Sequence, residues 1–135
     1  MRLKSWRSLD EIYAGVFDGM TYEEIKTRAP NEFRQRKADK LGYRYPRGES
    51  YLDVVQRLDQ VVHEIERLRD PILIVAHQGI LRIIYSYFMG YRLEDAPLVS
   101  IPLNTVIKLS STAYFCKEER IMLLEENMQK EPPSH

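Results

Sequence analysis

Cysteine is nearly absent from this sequence, since Cys116 is the only one among 135 residues. A single cysteine cannot form an internal disulfide, and it rules out any metal site built from several cysteines. This usage fits a reducing compartment, and Cys116 itself is expected to be a packing residue.

Net charge and long apolar runs are missing as well. The 20 basic residues balance the 20 acidic ones, so the composition gives no sign of a nucleic-acid or membrane partner. No apolar run approaches the roughly 18 residues of a membrane span, and the first residues, MRLKSWRSLDE, lack the apolar core of a secretion signal. We therefore expect one cytoplasmic globular domain, or a large part of one, with no nucleic-acid and no membrane partner.

Two capping boxes predict where helices begin. Thr21 with Glu24 opens a short helix that Pro30 is expected to close, and Ser50 with Asp53 opens a longer one. Apolar residues at three- and four-residue steps indicate that the longer helix has about five turns. These residues are Tyr51, Val54, Val55, Leu58, Val61, Val62, Ile65 and Leu68.

Residues 72–76 form an apolar run that predicts a short strand buried on both faces, with Ile74 in the core, and residues 79–89 have the pattern of a helix. Weaker strand patterns cover residues 105–109 and 120–124. A strand that is apolar on both faces needs neighbouring strands and helices on both sides. Because the only other predicted strands come later in the chain, we expect a three-layer α/β domain, with helices on both faces of its sheet, that is incomplete at the N-terminus.

His77 is the histidine that this pattern singles out. It directly follows the predicted strand and precedes a helix N-terminus, whose free N–H groups and dipole favour bound anions. The alternative is a core histidine with its hydrogen bonds satisfied at the strand end. His63, on the polar side of its helix, and His135, in the C-terminal tail, are expected to be exposed and receive no role.

A basic segment, residues 33–48 (FRQRKADKLGYRYPRG), points to phosphate because it contains six cations and one acid. Such a run is usually solvated, but the nearby Tyr43, Tyr45 and Tyr51 argue against that interpretation, because a solvated loop has little use for aromatic side chains. Arginine, lysine and tyrosine side chains all bind phosphate or sugar oxygens. The cations are Arg34, Arg36, Lys37, Lys40, Arg44 and Arg47.

An acidic pair, Asp10 and Glu11, comes just before a glycine-containing loop. A carboxyl group near an anion site can stay protonated and act as a general acid toward a leaving alkoxide. Two acids before a loop are more often surface residues, so both interpretations stay open at this point.

Five segments in this order carry a resemblance: LDEIYAG, TYEEI, YRYPRGESY, DVVQRL and HQGILR. Over roughly residues 6–124 the sequence resembles the bisphosphatase domain of the bifunctional 6-phosphofructo-2-kinase/fructose-2,6-bisphosphatases. These are histidine phosphatases with a phosphoglycerate mutase-like fold. The resemblance implies hydrolysis of the 2-phosphate of fructose 2,6-bisphosphate without a metal or other cofactor, and a separate upstream kinase domain that uses ATP and Mg.

Residue by residue, the resemblance implies that Glu11 is the proton donor and that His77 stabilises the phosphoryl group in flight. Six further positions match the family's contacts to the sugar and to its other phosphate: Tyr22, Arg36, Lys40, Tyr51, Gln78 and Arg82. These residue types suit phosphoryl transfer, which needs mainly positioning and charge neutralisation.

The sequence departs from the family pattern in three places. The Arg-His-Gly motif, whose histidine becomes phosphorylated in the family, does not occur in this sequence. Tyr13 stands where aspartate is usual, which alters the field on the neighbouring Glu11, and Asn104 stands where histidine is usual.

Together these observations predict that residues 1–124 are the C-terminal part of a fructose-2,6-bisphosphatase domain and that residues 125–135 are a flexible tail. The chain is expected to be inactive alone, and to be marginally stable, aggregated or supported by a second copy that covers the open sheet edge. Two alternatives stay open: a related histidine phosphatase or mutase with another phosphate ester, and a non-catalytic sugar-phosphate sensor.

Overall fold

The computed structural model describes residues 1–123, so the predicted tail and His135 lie outside the described residues. The helices are α1 (Tyr22–Arg28), α2 (Pro30–Ala38), α3 (Tyr51–Arg67) and α4 (Gln78–Met89), and the strands are β1 (Thr105–Ser111) and β2 (Cys116–Met122). Short 3-10 helices lie at Arg7–Leu9, Gly15–Phe17 and Leu93–Leu98. The predicted α/β class is confirmed. No helix among the described residues is long and apolar enough to cross a membrane.

Helix α3 begins at the capping box predicted for it. The hydroxyl of Ser50 accepts from the backbone N–H of Asp53 at 3.2 Å, and the Asp53 carboxylate accepts from the N–H of Ser50 at 2.9 Å. Both α3 and α4 have an apolar face, and the two helices pack together to form the core with the loops beside them. The buried core residues are Ile12, Ala14, Tyr45, Tyr51, Val54, Leu58, Val61, Ile80, Ile83 and Ile84.

Helix α1 begins at its predicted box and ends before Pro30, as expected. Ala29 ends α1, and Pro30 is the first residue of α2, a helix that the sequence pattern did not predict. Proline suits this position because the first turn of a helix does not use its N–H groups. The apolar period is missing from PNEFRQRKA, so the first part of the basic segment is helical without an amphipathic signal.

The strand predicted over residues 72–76 is not formed, which corrects the sequence interpretation. No backbone hydrogen bond links these residues to another described residue. Ile72, Leu73 and Val75 are 49%, 62% and 83% exposed, while Ile74, which was expected to be buried, is half-buried against the core. The physical reason is the lack of a neighbouring strand, because β1 and β2 pair only with each other within the described residues.

The β1–β2 hairpin is antiparallel and pairs Thr105 with Met122 and Ser111 with Cys116. β2 therefore begins at Cys116, earlier than the strand predicted over residues 120–124. The short turn after β1 sets the register of β2, and the apolar pattern of β2 does not. Cys116 is half-buried at the start of β2. Asn104 lies in the turn before β1 with a left-handed backbone (φ 52°), which asparagine adopts more readily than most residues.

Candidate active site

Glu11 lies in an irregular loop between the first two 3-10 helices and is half-buried. Its Oε1 accepts a hydrogen bond from the backbone N–H of Ile12 at 2.9 Å. Glu11 borders a cavity of about 270 Å³, which gives a small bound molecule access to this side chain. The other lining residues are Ile12, Tyr13, Ala14, Asp18 and Gly19.

Gly79, the second residue of α4, is the point at which Glu11 meets that helix. A Cβ atom on Gly79 would lie 2.7 Å from Oε1 of Glu11 and 3.7 Å from the hydroxyl of Tyr51. Only glycine leaves room for the carboxyl group over the first turn of α4, where the helix dipole favours negative charge. Gly79 was not among the predicted site residues, although its place directly after His77 and Gln78 at a helix start was an available signal.

His77 is the N-terminal cap residue of α4 and is exposed. Its backbone is extended, with φ −82° and ψ 160°, and its side chain does not cap the helix. This exposure contradicts the alternative of a core histidine, and it leaves the imidazole accessible to a ligand at the helix start. His63 is also exposed, as predicted, with its Nδ1 3.6 Å from the Asp59 carboxylate.

Three of the predicted cations converge, and we call them the cation cluster: Arg36 on α2, Lys40 just after α2, and Arg82 on α4. Burial lowers the pKa of the Lys40 ammonium, and the nearby positive charges of Arg36 and Arg82 lower it further. None of the three forms an ion pair with an acidic side chain in residues 1–123. Partly buried positive charges that lie close together without acidic partners favour a bound anion, and a phosphate group fits that requirement.

Tyrosines surround the cation cluster. The guanidinium carbon of Arg36 lies 4.5 Å from the ring centroid of Tyr22 and 5.7 Å from that of Tyr45. Nη1 of Arg82 donates to the hydroxyl of Tyr51 at 3.4 Å. Burial raises the pKa of Tyr22, against the lowering effect of Arg36, and burial raises the pKa of Tyr45 to about 12. These two hydroxyls stay protonated at neutral pH and remain hydrogen-bond donors.

The backbone between the Leu93–Leu98 helix and β1 orients two predicted site residues. Nε2 of Gln78 donates to the carbonyl of Ile101 at 3.1 Å, and Nε of Arg82 donates to the carbonyl of Val99 at 2.9 Å. Gln78 and Arg82 are four residues apart on α4 and therefore share one face of the helix. Both side chains are thus held on the same side of the helix.

The other cations of the basic segment do not join the cluster. Arg44 forms two hydrogen bonds of 2.7 Å to the carboxylate of Asp53, and these hold the pKa of that carboxyl group well below its usual range. The exposed members are Arg34, Lys37, Arg44 and Arg47. The solvated interpretation fits these residues, but it does not fit the half-buried Lys40 or the buried Arg36.

Tyr13, close to Glu11 in the chain, has 52% of its surface exposed. Its backbone N–H donates to the carboxylate of Glu49 at 3.0 Å, and its carbonyl accepts from the N–H of Glu49 at 2.8 Å. The main chain of Tyr13 is therefore fixed to the segment before α3.

The structure thus brings together Glu11, Tyr51 and Arg82. The other members of the cation cluster and Tyr22 lie beside them.

The family model of the histidine phosphatase superfamily (branch 1) matches residues 1–122. The chain belongs to the histidine phosphatase superfamily.

Curated relatives of this histidine phosphatase chain include a 6-phosphofructo-2-kinase/fructose-2,6-bisphosphatase of Arabidopsis thaliana, 51% identical over 89% of this chain and 16% of that protein. A fructose-2,6-bisphosphatase of Saccharomyces cerevisiae is 53% identical over 86% of this chain and 25% of that protein. The human 6-phosphofructo-2-kinase/fructose-2,6-bisphosphatase 1 is 45% identical over 98% of this chain and 28% of that protein. The predicted resemblance is confirmed, and the chain spans less than a third of the length of these relatives.

Solved structures share the fold of the histidine phosphatase chain. The α-ribazole phosphatase of Shigella flexneri superposes with a TM-score of 0.77 at 15% identity, over 92% of this chain and 62% of that one. A mycobacterial glucosyl-3-phosphoglycerate phosphatase in complex with inorganic phosphate gives a TM-score of 0.72 at 17% identity, over 96% and 68% of the two chains. At these identities the likeness concerns the fold alone, and it confirms the predicted phosphoglycerate mutase-like fold class.

Proposed function

We propose that the full-length protein containing this chain hydrolyses the 2-phosphate of fructose 2,6-bisphosphate, giving fructose 6-phosphate and inorganic phosphate. The observation that carries this proposal is the cation cluster, whose charges have no acidic partner in residues 1–123 and lie beside Tyr51 and near the contact between Glu11 and Gly79. The names of the three relatives described above point to the same substrate.

In this proposal the cation cluster and its tyrosines bind the parts of the substrate that do not react. Arg36 and Lys40 hold the 6-phosphate, because charge-assisted hydrogen bonds to phosphate oxygens are stronger than neutral ones. Tyr22 and Tyr51 add hydrogen bonds from their hydroxyl groups. Gln78 and Arg82 orient the sugar, since both are already fixed by backbone carbonyls.

The chemistry uses a nucleophilic histidine outside this chain, so the chain alone is inactive. The histidine nitrogen attacks the 2-phosphorus, the bond from phosphorus to the sugar oxygen breaks, and that oxygen takes the proton of the Glu11 carboxyl group. His77 donates a hydrogen bond to the phosphoryl oxygens as negative charge shifts onto them. Water then attacks the phosphohistidine, Glu11 takes the proton from the water, and inorganic phosphate leaves with the histidine restored.

An upstream kinase domain that uses ATP and Mg, and a cytoplasmic location, are further parts of the proposal. The Arabidopsis and human relatives are named as kinase and phosphatase together, whereas the yeast relative is named as a phosphatase alone. No metal or other cofactor takes part in the proposed phosphatase step.

The test is phosphate release by the full-length protein from fructose 2,6-bisphosphate, compared with fructose 1,6-bisphosphate and 3-phosphoglycerate. We expect hydrolysis of the first substrate only, with a phosphohistidine trapped by rapid acid-free quenching. Faster hydrolysis of another ester would identify a related phosphatase. Tight binding of fructose 2,6-bisphosphate without turnover would identify a non-catalytic sensor.

A further inference from the structure

Arg57 on α3 forms a fork of hydrogen bonds to the loop that contains Glu11. Its Nη1 donates to the carbonyl of Ser8 at 2.6 Å, and its Nη2 donates to the carbonyls of Asp10 at 2.7 Å and Glu11 at 3.2 Å. Its Nε and Nη2 also donate to the two carboxylate oxygens of Glu49, at 2.9 and 3.2 Å. We call this set of contacts the Arg57 clamp.

The Arg57 clamp restrains a stretch of chain that has little structure of its own. Residues 10–14 contain no helix or strand, so the position of Glu11 depends on contacts with other elements. Glu49 extends the clamp beyond Glu11, because its carboxylate and its backbone N–H both bind the main chain of Tyr13. The side chains of Arg57 and Glu49 are only 23% and 25% exposed, so solvent screens their ion pair weakly.

We propose that Arg57 is a positioning residue for Glu11. By holding three carbonyls of residues 8–11, it determines where the Glu11 carboxyl group lies over Gly79 at the start of α4. The inference rests on the proposed function, in which Glu11 protonates the leaving sugar oxygen. Arg57 acts through the backbone without touching the substrate, and a planar guanidinium suits this task because it presents several donors in a fixed geometry.

Two substrates with different leaving groups distinguish a loss of Glu11 positioning from a general loss of fold stability. A sugar alkoxide needs a proton from Glu11 to leave, whereas a nitrophenolate is stable without one. In the full-length protein, kcat/KM is measured for fructose 2,6-bisphosphate and for p-nitrophenyl phosphate, because kcat/KM reports the steps up to departure of the leaving group and leaves out the later attack of water, in which Glu11 also acts. The variants are Arg57→Gln, Arg57→Lys and Glu11→Gln, and Arg67→Gln is the matched control because Arg67 is an exposed arginine on the same helix.

Arg57→Gln is expected to lower kcat/KM for the sugar bisphosphate about a hundredfold and kcat/KM for the nitrophenyl ester less than about threefold. Arg57→Lys should recover only part of the loss. Adding Arg57→Gln to Glu11→Gln should cost little more, since both changes remove the same function. Arg67→Gln should match the unchanged protein with both substrates.

An equal loss of kcat/KM with both substrates overturns the positioning role, because a destabilised fold affects both reactions alike. If Glu11→Gln itself shows no dependence on the leaving group, the proposed acid fails and the inference fails with it. Where Glu11→Gln behaves as expected and Arg57→Gln does not, the inference alone is wrong. If Arg57→Gln does not fold, Glu49→Gln weakens the same clamp and must show the same leaving-group dependence, and its absence overturns the proposal.

Discussion

Arg36 is a buried cation, since only 7% of the residue is exposed. The aromatic rings of Tyr22 and Tyr45 lie close to its guanidinium group. Burying a charge without a partner costs free energy, so buried arginines usually pair with carboxylates. No acidic residue in the described part of the chain pairs with Arg36. A bound phosphate would supply the missing charge, and it would also raise the lowered pKa of Lys40.

Replacing Arg36 with alanine should therefore weaken substrate binding more than it slows turnover. We expect a loss of about 2 kcal/mol, or roughly thirtyfold in affinity, because one charge-assisted contact to phosphate is removed. The Michaelis constant of the full-length protein for fructose 2,6-bisphosphate, measured at two salt concentrations, should rise and become less sensitive to salt. Arg34→Ala, an exposed change on the same helix, is the control. An unchanged Michaelis constant in Arg36→Ala would contradict the phosphate contact given to Arg36.

His77→Ala should lower turnover much more than it weakens binding, which is the reverse of Arg36→Ala. A hydrogen bond that strengthens in the transition state contributes about 2.7–4 kcal/mol to the barrier, so kcat should fall roughly a hundred- to a thousandfold while binding changes little. Stability should also change little because His77 is exposed and does not cap α4 with its side chain. His63→Ala, at an exposed position on α3, is the control. Near-normal turnover in a destabilised His77→Ala protein would rule out the catalytic assignment.

At the scale of elements, α3 connects the core to the site. Its first residue, Tyr51, contacts Arg82, and Arg57 two turns later holds the loop of Glu11. The start of this helix is fixed by the reciprocal bonds of Ser50 and Asp53. The geometry of the site therefore depends on where α3 begins.

The Asp53 carboxyl group should make the stability of this helix start depend on pH. Hydrogen bonds from Arg44 and Ser50 hold its folded-state pKa well below the unfolded value of about 3.9. A carboxyl group with a depressed pKa stabilises the fold at pH values above its unfolded-state pKa. This contribution is lost progressively as the pH falls from the unfolded-state pKa through the folded-state pKa. Asp53→Asn should therefore cost about 1 kcal/mol at pH near 7 and less at pH near 3.

Urea unfolding of the domain at the two pH values measures this difference. Asp59→Asn, an exposed change on the same helix, is the matched control and should alter the free energy of unfolding little at either pH. A cost for Asp53→Asn that is the same at both pH values would contradict the role given to the ionised carboxylate.

At the scale of the whole molecule, residues 72–76 present exposed apolar side chains and a backbone that forms no hydrogen bond to another part of residues 1–123. Unpaired backbone groups beside apolar side chains are a template for pairing with another chain. The 135-residue chain by itself should therefore self-associate or unfold easily.

Val75→Lys tests this expectation because Val75 is 83% exposed in the unpaired segment. The charge should shift the chain toward the monomer in sedimentation velocity experiments over a range of concentrations. Val16→Lys, the same change at a 53% exposed valine elsewhere, should leave the association unchanged. A monomeric, cooperatively unfolding chain at low concentration, before any substitution, would count against the prediction.

The sequence by itself determined the features that depend on neighbours along the chain. Both capping boxes join residues three positions apart, and the apolar period of α3 is a property of one helix, so both could be predicted. The sequence pattern singled out His77, Glu11 and the basic segment, whereas Tyr22, Gln78 and Arg82 came only from the resemblance. The exposure of His63 followed from the same helical period.

Only the tertiary structure decided the contacts between residues far apart in the chain. The contact of Glu11 with Gly79 and the bonds from Arg57 to the loop of Glu11 depend on how α3 and α4 pack. Packing also decided that Arg36 turns inward while Arg34, two residues away, stays in solvent. The run at residues 72–76 has the composition of a strand, but a strand forms only with a partner, and that partner is a property of the fold rather than of the segment.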